Sequence, residues 1–353
     1  MYNTCTGGDT MSLSRKSFIS ACAFGAAGAL SPAGAAPKKP GSFKVCVFAD
    51  IHYQPGVYVN DTPEFLEKIL ARAERENCDM VIHLGDFVHN VNEPRARAYV
   101  EKYNASRVPA YHVIGNHDQD GSSHADTLAA YRLERGYYSV DKGGFRFVVL
   151  DPNYIREPDG SFVHFDKGNY LRRSPKSTIN WIPPDQLAWL ERTVVGSPYP
   201  CIVFSHQSFE RAPSGACVLN KYDVQKIFRK ANARKRGTVR LVVNGHMHMD
   251  NLRLLDNILY WDVNSASNQW YAKTHGKYPA EYLKTHDRAQ HNIGWTEPLS
   301  AILTLTPGGG IRIDGAKADY LFGVTPRMAG LPEFDNHGRD IRPEISSAML
   351  KLF

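Results

Sequence analysis

The stretch LVVNGHMHMD (residues 241–250) joins an apolar run to a glycine and then to two histidines. An apolar run of this length between helical segments is typical of a buried strand in an α/β protein. His246 and His248 follow directly after the run, so they lie where the predicted strand ends. Taken alone, such a pair is as consistent with two histidines that face solvent at the end of a strand as with a functional site. Its meaning depends on which groups follow the other strands.

Apolar runs alternate with helical stretches along most of the chain. The predicted strands are 43–49, 80–84, 109–114, 145–151, 201–205 and 240–244, and the predicted helices are 63–76, 93–103, 184–195 and 222–232. The later runs 257–263 and 301–315 are expected to add strands, the second as a Gly-rich hairpin. The pattern predicts one layered α/β domain with two sheets. The long polar segments 152–182 and 271–298 are predicted insertions, since loops of this length are usually functional or disordered.

Carboxylate, imidazole or amide groups follow five of these strands. They are Asp50 and His52 after the first strand, Asp86 after the second, Asn116, His117 and Asp118 after the third, His206 after 201–205, and His246 and His248 after 240–244. Ligands of open α/β sheets bind at the carboxyl ends of strands, so we expect these groups to converge. Residues i and i+2 of an extended segment point to the same side, which would let Asp50 and His52 share one site.

The residue types at this edge indicate a metal site. Aspartate, histidine and asparagine together suit first-row divalent metals better than Ca²⁺ or Mg²⁺. The donors expected to bind metal are Asp50, His52, Asp86, Asn116, His206, His246 and His248. They exceed the needs of one ion with open positions, whereas two ions sharing a carboxylate would use them all. Asp86 is the best bridge, because the preceding glycine permits close backbone approach. We therefore expect two Mn, Fe or Zn ions.

In their order, these blocks resemble the motifs of the calcineurin-like metallophosphoesterase family. The matching elements are Asp50-x-His52, Gly85-Asp86, Gly115-Asn116-His117-Asp118, His206 and Gly245-His246-x-His248. The resemblance implies a four-layer α/β/β/α sandwich with two mixed β-sheets and the metal site at the carboxyl ends of the strands. It also implies the division of the ligands: Asp50, His52, Asp86 and His248 for one ion, and Asp86, Asn116, His206 and His246 for the other.

The resemblance further implies a reaction and two catalytic residues. The expected activity is hydrolysis of a phosphomonoester, phosphodiester or nucleotide pyrophosphate by a metal-bridging hydroxide. His117 is expected to face the phosphate and protonate the leaving group, with Asp118 orienting it. The chain departs from the purple acid phosphatase branch, because no tyrosine ligand follows Asp86. It also lacks, at His206, the doubled histidine of many cyclic-nucleotide phosphodiesterases.

Two other functions and several nearby residues remain open at this point. The alternatives are a nuclease of the same superfamily and a non-catalytic metal-binding scaffold of the same fold, although no donor of the set is missing. His89 follows Gly85-Asp86 at an interval that would let it approach the site. Arg172 and Arg173 would either contact a substrate phosphate or belong to a solvated loop. The segment 264–270 is expected to shape the pocket.

Composition and charge limit the classes of partner that the protein is expected to bind. The chain has 353 residues, 42% hydrophobic and 22% charged, as in ordinary globular proteins. Its formal net charge of +6 is scattered, with dense basic runs only at 38–40 and 233–236. A nucleic-acid groove needs a concentrated basic face, so we expect a small phosphorylated substrate and no nucleic-acid partner. The sequence does not indicate an oligomeric state.

The first 36 residues have the pattern of an export signal. SRKSF (14–18) precedes a short apolar, small-residue stretch and an Ala-x-Ala site at 33–35. The stretch is shorter than the about 20 residues that span a bilayer. We predict an export signal and upstream tail over 1–36, a single domain over 37–353, and a periplasmic or extracellular location. Arg15-Lys16 resembles a twin-arginine signal, and a disordered alanine-rich tail is the alternative.

Four cysteines would remain after cleavage: Cys46, Cys78, Cys201 and Cys217. Cys46 and Cys201 lie inside apolar runs and are expected to be small core residues. No Cys-x-x-Cys pair occurs, which argues against thiolate zinc. Export makes disulfides possible, and the sequence leaves their presence open.

Overall fold

Sixteen strands and six α-helices occur in the part of the chain that the computed structural model describes, residues 41–59, 63–211, 217–334 and 338–351. The strands are Phe43–Phe48 (β1), Met80–His83 (β2), Ala110–His112 (β3), Tyr138–Lys142 (β4), Phe145–Val149 (β5), Tyr154–Arg156 (β6), Phe162–His164 (β7), Cys201–Ser205 (β8), Val239–Asn244 (β9), Asn251–Leu255 (β10), Ile258–Asp262 (β11), Asn268–Trp270 (β12), Asn292–Gly294 (β13), Ala301–Leu305 (β14), Gly310–Asp314 (β15) and Ala348–Lys351 (β16). The helices are Glu64–Arg75 (α1), Pro94–Asn104 (α2), His124–Ala130 (α3), Pro184–Val195 (α4), Lys221–Arg234 (α5) and Ala280–Thr285 (α6). The predicted export signal lies outside the described residues.

Two six-stranded mixed sheets contain most of the strands. The first has the order β16-β15-β14-β1-β2-β3, with β1, β2 and β3 parallel and the other three added antiparallel. The second has the order β10-β11-β9-β8-β5-β4, with four parallel inner strands between two antiparallel edges. Because β1, β2, β3, β8 and β9 are parallel within their sheets, the polar blocks that follow them collect at one edge of the fold.

The two sheets pack face to face and are covered by helices on their outer sides. Side chains of both sheets, among them Val47 of β1 and Phe147 of β5, share one buried core. The other face of the first sheet packs against α1 and α2, and that of the second against α4 and α5. β1 is buried along its whole length, which explains why its sequence is a continuous apolar run. The structure thus confirms the predicted four-layer α/β/β/α sandwich with two mixed sheets.

The predicted core cysteines and insertions can also be located. Cys46, Cys78 and Cys201 are free thiols, and Cys46, Cys201 and Cys217 are fully buried. The segment 152–182 contains the β6–β7 hairpin and two short 3₁₀ turns, and 271–298 contains α6. Within the described ranges, no helix has the length and apolar character needed to cross a bilayer.

Candidate metal centre

The backbone at the ends of β1, β2 and β9 is left-handed rather than extended. Asp50, His52, Asp86, His246 and His248 have φ of 52°, 49°, 50°, 65° and 48°. The expectation that Asp50 and His52 face one side because they lie on an extended segment is therefore wrong, although the two side chains do converge. A non-glycine residue in this conformation costs about 1–3 kcal/mol and is concentrated at functional sites. The strain indicates that tertiary contacts at the site, and not the intrinsic preference of the backbone, determine the conformation of these five residues.

The first group of potential ligands joins the ends of β1 and β9. Ligand atoms of Asp50, His52 and His248 all lie within 4.8 Å of one another. His248 Nε2 is 3.1 Å from His52 Nε2 and 3.5 Å from Asp50 Oδ1. All three residues are buried, and the indole N–H of Trp270 donates to His52 Nε2 at 3.3 Å. The structure thus brings together three residues predicted to share an ion.

The second group joins the ends of β2, β3, β8 and β9. Asp86, His206 and His246 satisfy the same 4.8 Å criterion. His206 Nε2 is 3.1 Å from Asp86 Oδ2, 3.0 Å from His246 Nδ1 and 3.1 Å from Asn116 Oδ1. These four residues are the ones that the family resemblance assigns to the second ion.

One oxygen of Asp86 faces both groups. Asp86 Oδ2 is 3.1 Å from His206 Nε2 and 3.8 Å from His52 Nε2, while Oδ1 accepts the backbone N–H of His117 at 2.8 Å. Gly85, with φ of +92°, makes this approach possible, since a Cβ there would lie 2.5 Å from His206 Nδ1. This is the position expected of a bridging carboxylate.

The hydrogen bonds around the two groups test whether metal ions fit them. His206 Nδ1 donates to the carbonyl of Leu84 at 2.7 Å, and His248 Nδ1 donates to that of Asn268 at 2.6 Å. Each bond leaves the Nε2 atom of its ring as a lone-pair acceptor. These lone pairs face carboxylate and amide oxygens, which are also acceptors. Positive charge between them removes the repulsion, so the donor set fits two metal ions.

The ionisation states agree with this arrangement. Burial acts to raise the pKa of Asp86, but the imidazoles of His206 and His117 outweigh burial and hold that pKa well below its ordinary range. Burial acts to lower the pKa of His206, but Asp86 outweighs it and raises that pKa to about 9. Burial lowers the pKa of His52, and it lowers the pKa of His246 to about 3. A proton on His206 Nε2 and a metal ion would therefore compete for the same place beside the ionised Asp86 carboxylate, while His52 and His246 are neutral and available for coordination.

The predicted orienting residue Asp118 has a different place. Its carboxylate accepts the backbone N–H groups of Asp86, Phe87, Val88 and Gly115 and the hydroxyl of Tyr131, at 2.7–3.1 Å. Burial and the charge of Asp86 raise the pKa of Asp118 to about 7, against the effect of these five donors. The expectation that Asp118 orients His117 is corrected: Asp118 holds the loops that carry the ligands.

Asp120 is the carboxylate that contacts His117. His117 Nδ1 donates to Asp120 Oδ2 at 2.6 Å, which leaves Nε2 for other partners. The 3₁₀ turn His117–Gln119 explains the contact, because residues i and i+3 are eclipsed in such a turn. His89 joins the same network, with Nδ1 3.1 Å from Asp120 Oδ2 and Nε2 3.0 Å from His52 Nδ1.

The insertion 152–182 supplies a second layer to the site. The hydroxyl of Tyr170 donates to Asp120 Oδ1 at 2.6 Å and accepts from Asn116 Nδ2 at 3.1 Å. An open cavity lies beside the second group and is lined by Asn116, Tyr170, Lys176, Ile179, Asn180 and His246. The sequence did not predict which ligand these insertion residues contact, because a polar loop has no hydrophobic periodicity from which its position could be inferred.

Two further expectations about neighbouring segments can be assessed. Arg173 forms a two-point ion pair with Glu157 at 2.6 and 2.9 Å, and Arg172 is exposed. This pairing favours a solvated loop over a phosphate contact for Arg173. The segment 264–270 lies against the first group of ligands, to which it contributes the Asn268 carbonyl and the Trp270 indole.

Comparisons with known proteins concern the family and the fold. A family model described as calcineurin-like phosphoesterase matches residues 43–250. A dimetal phosphatase from Danio rerio is similar in structure, with a TM-score of 0.54 and 16% identity over 77% of this chain and 95% of that chain. Purple acid phosphatase PPD1 from yellow lupin (Lupinus luteus) aligns with a TM-score of 0.46 and 14% identity over 89% of this chain and 55% of that chain. At these identities, the likeness to the first structure concerns the fold. A comparison with curated protein sequences finds no match.

Proposed function

The chain belongs to the calcineurin-like phosphoesterase family and is a metal-dependent phosphoester hydrolase, and we propose that two ions bridged by Asp86 hydrolyse a phosphomonoester, phosphodiester or nucleotide pyrophosphate. The observation that carries the proposal is the position of Asp86 Oδ2, 3.8 Å from one histidine of the first group and 3.1 Å from one of the second. A carboxylate oxygen between two sets of imidazole acceptors suits a shared pair of ions.

The chain would divide its ligands between the two ions. Asp50, His52, Asp86 and His248 would hold one ion, and Asp86, Asn116, His206 and His246 would hold the other. When bound, such a pair neutralises phosphoryl charge and lowers the pKa of a coordinated water. The left-handed backbone at five of these positions keeps the side chains in place before substrate arrives.

His117 is suited to protonate the leaving group. Its side chain is 27% exposed, more than those of His52, His206 and His248, and its Nδ1 is occupied by Asp120. Burial acts to lower the pKa of His117, but the carboxylates of Asp86 and Asp120 outweigh burial and raise that pKa to about 9. The imidazole therefore carries a proton at neutral pH, which Nε2 can give to a leaving alkoxide.

The cavity beside Asn116 and His246 is suited to the part of the substrate that stays attached to phosphorus. Tyr170 and Ile179 supply apolar surface, and Lys176 supplies a positive charge at the rim. A second ester group or a further phosphate would both find partners there. The choice among monoester, diester and pyrophosphate is therefore left to the experiment.

The experiment compares p-nitrophenyl phosphate with bis(p-nitrophenyl) phosphate on chelated protein given Mn²⁺, Zn²⁺ or Fe²⁺ in turn. We expect turnover to return with at least one metal and to be lost by about 100-fold or more in Asp86→Ala, because even a residue that only supports a metal ligand is worth about 10–100-fold. Asp141→Ala, an exposed carboxylate on the edge strand β4, is the matched control and should keep its activity.

The outcomes separate the candidate functions. Preference for one ester identifies the branch of phosphoesterase. Two bound ions without turnover of either ester, together with cleavage of single-stranded DNA, would favour the superfamily nuclease. Two bound ions with no hydrolysis of any phosphoester would favour the metal-binding scaffold.

We also propose that the protein is exported. The support is in the sequence: a basic segment at 14–18, a short apolar stretch and an Ala-x-Ala site at 33–35. Expression of the full chain in a Gram-negative host, followed by mass analysis of the periplasmic fraction, tests this. A mature chain that begins near residue 36 is expected, and an uncleaved cytoplasmic chain would contradict export.

A further inference from the structure

A third group of potential metal ligands lies apart from the two groups joined by Asp86. It consists of His124 at the start of α3, Asp151 just after β5 and His164 at the end of β7. One ligand atom of each residue lies within 4.8 Å of the other two. The three residues come from three separate segments, and one of these segments is the insertion 152–182.

The carboxylate of this group is buried, and one of its two oxygens has no hydrogen-bond donor. Asp151 is fully buried, and its Oδ1 accepts the backbone N–H and the side-chain N–H of Asn153. Asp151 Oδ2 has no hydrogen-bond donor, and among the described residues no lysine or arginine pairs with this carboxylate. His164 Nδ1 is a second buried atom of the same group without a partner. Buried polar atoms are nearly always satisfied, so two such atoms in one cluster indicate a missing partner.

The two imidazoles have the form that binds metals. The rings of His124 and His164 stack at 3.6 Å between centroids with an interplanar angle of 16°. Two imidazolium ions at this distance would repel each other. Neutral imidazole is the ligand form of histidine, and a cation is the partner that suits two neutral rings beside the Asp151 carboxylate.

The surroundings leave room for the group and orient it. A Cβ on Gly136 would lie 2.2 Å from Asp151 Oδ2, so only glycine accommodates the carboxylate in this position. The side-chain amide of Gln119 lies 2.8 Å from His124 Nδ1. In the structure the amide nitrogen Nε2 faces His124 Nδ1, and Oε1 has no partner. A flipped amide would place Oε1 there to accept a proton from Nδ1, which would leave the Nε2 atom of His124 free to coordinate.

We propose that His124, Asp151 and His164 bind a third metal ion, a divalent transition ion of the Zn²⁺ class. Two imidazoles and one carboxylate form a ligand set that zinc commonly uses, with water or a further oxygen completing the tetrahedron. The inference does not depend on the proposed hydrolysis, because none of the three residues belongs to the two groups joined by Asp86.

The third ion would fasten the insertion to the body of the fold. His164 is followed by Phe165, which stacks on Tyr170 at 4.4 Å, and both belong to the small buried core of the insertion. Tyr170 in turn contacts Asn116 and Asp120. An ion at His164 would therefore fix the wall of the cavity beside the second metal group.

The experiment counts zinc in tag-free protein. Chelated full-length chain is given a slight molar excess of Zn²⁺ over three sites per chain, freed of unbound metal by gel filtration and analysed by inductively coupled plasma mass spectrometry. We expect three ions per chain in the wild type, and two in each of His164→Ala and Asp151→Asn. The matched control His291→Ala, a partly exposed histidine outside all the groups, should keep three.

Further measurements distinguish the loss of a metal site from misfolding of the variants and from a failure of the proposed hydrolysis. Far-UV circular dichroism establishes that the variants are folded, and Co²⁺ replacing Zn²⁺ should lose part of its visible absorption in His164→Ala but not in His291→Ala. Two ions in the wild type, or three in both His164→Ala and Asp151→Asn, would overturn the proposal. Failure of the proposed hydrolysis would appear instead as absent turnover with the metal count unchanged.

Discussion

Two aspartates that lie two residues apart have different tasks in the structure. Asp118 is surrounded by five donors that hold the loops at 85–88 and 115, whereas Asp120 contacts His117, His89 and Tyr170. Asp118 therefore fixes the loops that carry the metal ligands, and Asp120 stabilises the protonated form of His117. Each assignment leads to a prediction at the scale of a single residue.

Asp120→Asn should weaken catalysis through the leaving group. Without the Asp120 charge the pKa of His117 falls from about 9, so the protonated form is lost at lower pH and the alkaline limb of kcat/KM moves to lower pH. General acid catalysis contributes about 10²–10⁴-fold, and poor leaving groups need it most. We expect a larger loss on an alkyl phosphate than on p-nitrophenyl phosphate. Equal losses on both esters with an unmoved alkaline limb would contradict the assignment.

Asp118→Asn should act on stability instead. The amide nitrogen replaces one oxygen and faces two N–H donors, and each unsatisfied donor costs about 1–3 kcal/mol. We expect the free energy of unfolding in urea to fall, together with metal affinity. The fall should be larger at pH 6 than at pH 8, because ionisation of Asp118 above its raised pKa of about 7 already disfavours the folded wild type. An Asp118→Asn protein as stable as wild type would show that these hydrogen bonds do not support the site.

Sequence and structure differ at this scale for identifiable reasons. That carboxylates and imidazoles follow parallel strands could be predicted, because strand order alone brings them to one edge. The left-handed backbone at Asp50 and His52 could not, since it is imposed by tertiary contacts. Asp120 was open to prediction from its i+3 spacing, had a 3₁₀ turn been expected after Asn116.

At the scale of elements, β14 connects the antiparallel half of the first sheet to β1. Leu303 pairs with Val45 and is fully buried between the two sheets. Any loosening here moves β1, which carries Asp50 and His52 at its end. The stability of the sandwich and the position of the ligands are therefore linked through this strand pair.

Leu303→Ala should lower the free energy of unfolding by about 2–5 kcal/mol, the range for a large-to-small change in a packed core. Met349→Ala on β16 is the matched control, because its residue is 62% exposed and surface changes usually stay within about 0.5 kcal/mol. Urea titrations of both variants at saturating metal check this. A similar small change in both would mean that the sheets are not tightly packed at Leu303.

The predictability of the elements follows the strength of their patterns. Buried strands such as β1 and β9 and helices such as α4 are confirmed, because apolar runs and helical periodicity are strong signals. The β6–β7 hairpin was not predicted within 152–182, since each of its strands has three residues and no periodicity can be recognised. Consequently the contact of Tyr170 with the site was not predicted either.

At the scale of the whole molecule, the metal ions should contribute to stability as ligands of the folded state. Each ion present at about 100 times its dissociation constant adds about 2.7 kcal/mol. We expect chelation to lower the melting temperature, with recovery on adding Mn²⁺ or Zn²⁺ but not Ca²⁺, which prefers all-oxygen sites. In Asp86→Ala the chelator effect should shrink. A melting temperature insensitive to chelation would contradict metal binding by the folded chain.

The central claim is a two-ion centre bridged by Asp86, and anomalous diffraction from a crystal grown with Mn²⁺ or Zn²⁺ tests it most directly. The account predicts two anomalous peaks about 3.5–4 Å apart on either side of the Asp86 carboxylate, one near His52 and His248 and one near His206 and His246. A single peak at this edge, or none at full metal loading, would contradict it.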